Sequence, residues 1–174
     1  MRTIQKVLVG QSGGPTVAIN SSLAGIIDQA HKHDIEVIGM CNGIEGFLEG
    51  RTVNLTNIFH PTRNKQSVEL LAQTPSSFLG SCRYKLPDLA QDKNFYQQIA
   101  SRLTSLAIDG VLYIGGNDSM DTVDKISRYF AENLIDIPTI GIPKTIDNDL
   151  EGTDHTPGFG SAARYIATAV QELA

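Results

Sequence analysis

Residues 140–152, IGIPKTIDNDLEG, join an apolar run to one lysine and several acids. Lys144 is closely followed by Asp147, Asp149 and Glu151. Asp and Asn favour turns, so an acidic, solvated turn would account for this composition. A positioned carboxylate can also accept the proton of a reacting hydroxyl, and a second one can help to hold a metal ion. The stretch therefore indicates either a turn or a site where two acids act around a phosphate and a metal.

A glycine-rich stretch, GQSGGPT, occupies residues 10–16 and follows an apolar run. Glycine lets the backbone approach a ligand closely, and the start of a following helix presents free N–H groups to an anion. The spacing matches neither the P-loop nor the dinucleotide-binding fingerprint. The stretch predicts either a plain tight turn or a phosphate site.

A second stretch, GGNDS at residues 115–119, lies between an apolar run and a helical pattern. One interpretation is a helix cap, in which Asp118 or Ser119 caps a helix that begins near Met120. The other is a backbone nest for phosphate, in which Asn117 or Asp118 also faces a magnesium ion through oxygen.

The formal net charge of −5 bears on the kind of ligand that the chain could bind. An acidic chain that handles phosphate must concentrate positive charge locally, and Arg83 and Lys85 in FLGSCRYK supply such charge. The same net charge argues against nucleic-acid binding, and no apolar run is long enough for a membrane helix. Cys41 and Cys82 lack CxxC spacing, which fits a reduced, cytoplasmic protein.

Apolar runs alternate with helical periodicity along the chain. Strands are predicted at 6–10, 36–41, 110–116 and 137–143, a loop at 41–46, and helices at 17–34, 65–73, 92–109, 119–134 and 160–173. Strands separated by helices pair in parallel and carry helices on both faces. The predicted fold is an α/β, doubly wound, mostly parallel and Rossmann-like sheet in three layers, in which ligands bind beyond the carboxyl ends of the strands. The loops described above should therefore meet at one edge and supply the parts of a phosphoryl-transfer site.

Four motifs, GQSGGPTVAIN, GSCRYK, GGNDSMDT and PKTIDNDLEGTDHTPGFGSAA, together resemble the phosphofructokinase family. The resemblance spans nearly the whole chain in the right order, and TIDND is highly specific. It implies a donor-phosphate site and a fructose 6-phosphate site that meet between two α/β domains, in enzymes that commonly form dimers or tetramers. Residues 1–174 would form the donor-binding domain only. The last predicted helix reaches Ala174 without a glycine stop, so we expect a longer protein to continue into a sugar-phosphate domain.

The resemblance implies roles for individual residues on the donor side. Gly13 and Gly14 fall in the cradle that touches the transferred phosphoryl group. Arg83, with the neighbouring Tyr84, matches the arginine that grips the donor phosphate. The donor would also contact the second glycine stretch, at Gly116, Asn117, Asp118 and Ser119.

On the acceptor side, the resemblance implies that Asp147 is the base that takes the proton from the sugar 1-hydroxyl. Thr145 and Ile146 would contact the sugar phosphate beside it. Gly14 and Lys144 would complete the catalytic group, because the lysine neutralises charge where acids and phosphates are crowded.

The same resemblance bears on the metal and on the identity of the donor. Asp149, Asn117 and Asp118 would hold Mg²⁺, although Asn117 stands where the family usually has Asp. ATP-using members read GGDGS and PGTIDND, whereas Asp118 and Lys144 replace two of these glycines here. An Asp at this point would crowd and repel ATP, so pyrophosphate is the predicted donor. The alternatives are an ATP-dependent 6-phosphofructokinase and a truncated, catalytically incomplete fragment that serves for binding or oligomerisation.

Overall fold

The structure is a computed structural model that describes residues 3–174, without the side chains of residues 61–65. The strands are β1 (Lys6–Gln11), β2 (Glu36–Met40), β3 (Thr52–Asn54), β4 (Gly110–Gly115) and β5 (Thr139–Pro143). The helices are α1 (Val17–Lys32), α2 (Gly43–Leu48), α3 (Leu55–Ile58), α4 (Pro61–Gln73), α5 (Lys93–Ser105), α6 (Asn117–Glu132) and α7 (Phe159–Leu173).

The strands form one sheet in the order β3-β2-β1-β4-β5. Strand β1 lies at the centre and pairs in parallel with β2 and β4, and β4 pairs in parallel with β5. The short edge strand β3 runs antiparallel to β2. The doubly wound, mostly parallel sheet is therefore confirmed. Strand β3 was not predicted, because three residues are too few to show an alternating pattern.

Apolar side chains alternate along the strands and build one core on each face of the sheet. On one face, Leu8, Val111 and Tyr113 pack with residues of α5 and α6, including Ile99, Leu103 and Ile126. On the other face, Val7, Val9 and Ile114 pack with residues of α1 and α4, including Leu23, Ile27 and Leu71. Strands β1 and β4 thus fill both cores with their successive side chains, which gives the predicted three-layer arrangement.

The loop predicted at 41–46 is wrong in part, because a short helix begins at Gly43. Asn42 and Gly43 both adopt left-handed backbone angles, with φ of 59° and 61°. This turn brings Ile44 and Phe47 into the core, where both are buried. Burial of these apolar side chains accounts for a helix that is too short to show periodicity in the sequence.

Helix α6 begins at Asn117 rather than near Met120, and its N-cap is Gly116. The backbone N–H groups of Ser119 and Met120 both donate to the carbonyl oxygen of Gly116. The predicted cap by Asp118 or Ser119 is therefore wrong, since both residues already belong to the first helical turn. This geometry brings Asn117 and Asp118 to the helix end that faces the carboxyl edge of the sheet.

Helix α7 agrees with its predicted position, but none of its residues is buried. No helix within residues 3–174 combines the length and apolar character needed to cross a bilayer.

Candidate active site

A cleft of about 700 Å³ lies beyond the carboxyl ends of β1, β4 and β5. It gathers segments from the glycine turn, the arginine loop, the start of α6 and the loop after β5. Its lining residues are Ser12, Gly13, Gly14, Cys82, Arg83, Tyr84, Lys85, Gly116, Asn117, Asp118, Ser119, Thr122, Lys144, Thr145, Ile146 and Asp147. Every residue that the sequence analysis placed in the site lines this cleft except Asp149, which contacts a lining residue.

The glycine turn leaves β1 towards β4 and then comes close to the start of α6. The N–H of Ser12 donates to the carbonyl oxygen of Ile114 at 2.9 Å, which continues the pairing of β1 with β4. Gly13 has a φ of +82°, in the left-handed region that favours glycine. A side-chain carbon at Gly13 would lie 3.4 Å from the backbone nitrogen of Gly116. The two glycine stretches are thus neighbours in space.

Two serine hydroxyls join the glycine turn to the arginine loop. Ser12 Oγ donates to the carbonyl oxygen of Cys82 at 3.1 Å, and Ser81 Oγ donates to that of Gly13 at 2.9 Å. Arg83 follows directly and is exposed at the wall of the cleft. The loop therefore holds a guanidinium beside the glycine turn, and this geometry suits an anionic ligand.

Lys144 connects three of the segments around the cleft. Its backbone N–H donates to the carbonyl oxygen of Gly115 at 2.8 Å, and its Nζ donates to that of Gly14 at 2.7 Å. The residue is only 6% exposed. This burial lowers the pKa of Lys144, and the negative charge of Asp147 partly opposes the effect. The ammonium thus lies beneath the glycine turn, with an acid nearby.

The two aspartates of the TIDND motif have different partners. The backbone N–H of Asp147 donates to Thr145 Oγ1 at 3.1 Å, and its exposed carboxylate lines the cleft. Asn148 between them has a φ of 55°, so the chain turns sharply after Asp147. Asp149 Oδ2 accepts a hydrogen bond of 3.1 Å from Asn117 Nδ2. That bond from Asn117, helped by one from Thr145, lowers the pKa of Asp149.

The residues predicted to hold magnesium offer the oxygen ligands that this ion prefers. Asp118 and Asp149 are exposed carboxylates, and Asn117 in the cleft wall carries an amide oxygen. Among the residues that the structure describes, no three His, Cys, Asp or Glu side chains form a metal-binding group of their own. Mg²⁺ is usually held by one or two carboxylates together with substrate phosphates. The donor set therefore fits an ion that is shared with a bound phosphate.

Three lining residues were not among the predicted site residues, namely Ser12, Cys82 and Thr122. Ser12 and Cys82 lie inside GQSGGPT and GSCRYK, so their position in those motifs was the available signal. Thr122 follows one helical turn after Asp118 and donates from Oγ1 to its carbonyl oxygen, a placement that depends on where α6 begins. Ser119 lines the cleft but is buried, whereas its neighbours Asn117 and Asp118 are exposed.

Comparison with known proteins shows which family the chain resembles. The phosphofructokinase family model matches residues 6–174. A pyrophosphate–fructose 6-phosphate 1-phosphotransferase of Xanthomonas campestris is 42% identical over 97% of this chain and 39% of its own length. The enzyme with the same description in Rhodospirillum rubrum is 43% identical over 94% of this chain and 39% of its own length.

Solved structures give the same result at the level of the fold. The crystal structure of a pyrophosphate-dependent phosphofructokinase from Marinobacter aquaeolei superposes with a TM-score of 0.82 at 38% identity. The match covers 98% of this chain and 41% of the other. The chain thus spans about two fifths of the length of these relatives. With its sequence matched almost from end to end and its loops converging on one cleft, the chain belongs to the phosphofructokinase family.

Proposed function

We propose that the chain is the phosphoryl-donor-binding part of a phosphofructokinase that uses pyrophosphate. The reaction would transfer one phosphoryl group to the 1-hydroxyl of fructose 6-phosphate and give fructose 1,6-bisphosphate. The observation that carries this proposal is the presence of Gly14, Arg83 and Asp147 in the wall of one cleft. Two relatives that carry a pyrophosphate-dependent name, at 42% and 43% identity, support it.

In this proposal the oxygen of the sugar 1-hydroxyl attacks the terminal phosphorus of the donor, and Asp147 accepts the proton of that hydroxyl. The bond from that phosphorus to the bridging oxygen breaks, and the bond's electron pair leaves with inorganic phosphate. Backbone N–H groups of the glycine turn and the Arg83 guanidinium stabilise the charge on the phosphate oxygens. Such reactions depend mainly on positioning and charge neutralisation, so few side chains need to react.

Asp118, Asp149 and the amide oxygen of Asn117 would hold Mg²⁺ together with donor phosphate oxygens. The ion would neutralise phosphate charge when it is bound. Asn117 also donates to Asp149, which keeps that carboxylate ionised and directed towards the start of α6.

The choice of pyrophosphate over ATP rests on Asp118 and Lys144. Asp118 is exposed in the first turn of α6 and lines the cleft beside the glycine turn. A nucleotide would have to place further phosphate and sugar past this carboxylate, which repels anions and takes up volume. Pyrophosphate has no further phosphate or sugar to place past Asp118 and therefore avoids both costs.

The remaining parts of the proposal concern the complete enzyme. The sugar phosphate would bind between this chain and a second domain, since the relatives are more than twice as long as the matched region. The assembled enzyme would be a cytoplasmic homo-oligomer. The 174-residue chain would bind the donor and Mg²⁺ without sustained turnover.

Titration calorimetry of the 174-residue chain with pyrophosphate and with ATP, each with Mg²⁺, tests the proposal. Pyrophosphate should bind more tightly than ATP. Arg83→Ala should weaken pyrophosphate roughly tenfold to a hundredfold, because a hydrogen bond to a charged group contributes about 1.5–3 kcal/mol. Arg128→Ala is the matched control, since Arg128 pairs with Asp124 on the outer surface of α6 and should leave affinity unchanged. Tighter binding of ATP, or equal binding to both arginine variants, would contradict the proposal.

A further inference from the structure

The side chain of Gln11 is completely buried at the end of β1, directly before the glycine turn. Its Nε2 donates to the carbonyl oxygen of Ile19 at 3.1 Å and to Asn20 Oδ1 at 3.2 Å. Its Oε1 accepts from the N–H of Leu79 at 2.8 Å and also lies 3.2 Å from Ser77 Oγ, whose single hydrogen has a shorter bond to the carbonyl oxygen of Gly80. Both N–H groups and the oxygen of this amide therefore have hydrogen-bond partners.

Asn20 in α1 is 1% exposed and continues the same network. Besides Gln11, its Oδ1 accepts from the N–H of Phe78 at 2.9 Å. Its Nδ2 donates to the carbonyl oxygen of Thr74 at 2.9 Å. The two amides together hold the segment 74–80, which has no regular secondary structure of its own over most of its length. We call this pair the amide clamp.

The clamped segment leads directly into the arginine loop. The carbonyl oxygen of Leu79 accepts from the N–H of Asn42, and Ser77 Oγ donates to the carbonyl oxygen of Gly80. Ser81 then bonds to the glycine turn, and Arg83 enters the cleft. The path from the buried amides to the guanidinium is thus short and is hydrogen-bonded at successive residues.

We propose that Gln11 and Asn20 are positioning residues for Arg83. By fixing the segment 74–80 against β1 and α1, they set where the arginine meets the donor phosphate, although neither amide lines the cleft. This inference rests on the proposed function for the role of Arg83. Phosphate-site geometry is sensitive to small displacements, so a clamp that holds the loop contributes to affinity without touching the ligand.

A double-mutant cycle distinguishes positioning from a general effect on stability. Gln11→Met keeps the length of the side chain but leaves the N–H of Leu79 without its acceptor, whereas the hydroxyl of Ser77 keeps its bond to Gly80. In the unmodified background, Gln11→Met should weaken pyrophosphate binding about tenfold, a coupling of the size seen for contacts within one network. In the Arg83→Ala background the same change should have less than about a twofold effect, because the positioned group is gone.

Thr56→Val is the matched control, since Thr56 Oγ1 accepts from the N–H of Val37 elsewhere on the sheet. It should lower the melting temperature without changing pyrophosphate affinity. Should Gln11→Met fail to fold, Ser77→Ala removes the hydroxyl that bonds to Gly80 beside Gln11 Oε1, so it loosens the same segment and enters the same cycle. Equal losses from Gln11→Met with and without Arg83 would overturn the inference.

Hydrogen exchange of the ligand-free chain separates this inference from the proposed function. If pyrophosphate does not bind the unmodified chain at all, the proposed function fails. The clamp is then judged by the amides of residues 80–85, which should exchange at least about tenfold faster in Gln11→Met than in Thr56→Val. Unchanged exchange of those amides would refute the clamp whatever the ligand result.

Discussion

Lys144 Nζ donates a 2.7 Å hydrogen bond to the carbonyl oxygen of Gly14, a residue 130 positions earlier in the chain. The bond joins the loop after β5, which carries the acids of TIDND, to the glycine turn after β1. The lysine is also close enough to Asp147 for the carboxylate to affect its pKa. The charged segment after β5 therefore also connects two loops of the cleft by a hydrogen bond.

Lys144→Met should reduce both stability and donor affinity. The methionine fills similar space but cannot donate to Gly14, and a hydrogen bond from a charged group contributes about 1.5–3 kcal/mol. Because the variant no longer buries a charge, we expect a net loss of about 1 kcal/mol in the free energy of unfolding. Urea unfolding measures this loss, with Lys32→Met in the exposed pair with Asp28 as the control. A stabilised Lys144→Met protein would show that the bond is dispensable.

The pH dependence of stability should reveal the buried lysine directly. Burial lowers the pKa of Lys144 below its ordinary 10.5 in the folded chain. Between the folded and unfolded pKa values the unfolded chain binds more protons, so this group makes stability rise with pH across that window. The unfolding free energy of the unmodified chain, relative to Lys144→Met, should therefore increase as the pH rises towards 10.5. A difference that does not vary over the alkaline range would argue against a depressed pKa.

Asn117→Ala should raise the pKa of Asp149 towards its ordinary 3.8, because the largest cause of its lowering is the hydrogen bond from Asn117. The Thr145 contribution remains, so the pKa should not return completely. A carboxyl group with a lowered pKa stabilises the folded chain at a pH above its ordinary pKa, and this stabilisation is lost as the pH falls through the folded-state pKa. In Asn117→Ala the stabilisation by Asp149 should be smaller, so less stability is lost on acidification. Carboxyl NMR titration checks the shift. Asn94→Ala on the exposed face of α5 should leave the Asp149 titration unchanged.

Substitutions at Asn148 should separate backbone strain from side-chain bonding. Its Nδ2 donates to the carbonyl oxygen of Asp154 at 3.1 Å, and its Oδ1 accepts from the N–H of Thr156 at 3.0 Å. Glycine loses both bonds but tolerates the φ of 55°, whereas alanine loses both and adds strain. We expect Asn148→Ala to melt below Asn148→Gly, with a stability gap of about 1 kcal/mol. At positions with negative φ, alanine variants are usually more stable than glycine variants. If Asn148→Ala melted above Asn148→Gly, the backbone of the turn would have left its positive φ in the variants.

Asp118→Gly should shift donor preference towards ATP. Removal of the carboxylate takes away charge and volume beside the start of α6, and the ratio of ATP to pyrophosphate affinity should rise about tenfold, or about 1.4 kcal/mol. Asp118→Asn keeps the volume of the side chain and removes only its charge, so it shows how much of the change in the affinity ratio is electrostatic. Calorimetry with both donors measures the ratio. No change in either variant would remove Asp118 from the explanation of donor choice.

Much of the fold could be predicted because its signals are local. Apolar runs such as 6–10 and 110–116 lie close to the observed β1 and β4, and helical periodicity over 92–109 predicted α5. Helix α2 and strand β3 were missed, since their formation depends on burial and on pairing with β2. The start of α6 was displaced for a similar reason, because a backbone cap at Gly116 carries no side-chain signal.

The sequence by itself determined which chemical groups are available and that parallel strands would bring their loops to one edge. Motif identity and the period of apolar residues are properties of neighbouring positions along the chain, so they do not depend on contacts between distant residues. Only the tertiary structure decided the partners: Lys144 with Gly14, Asn117 with Asp149, and Gln11 with Asn20 and the segment 74–80. These pairings depend on strand register, helix starts and packing across the sheet, which act between residues far apart in the chain and leave no pattern along it.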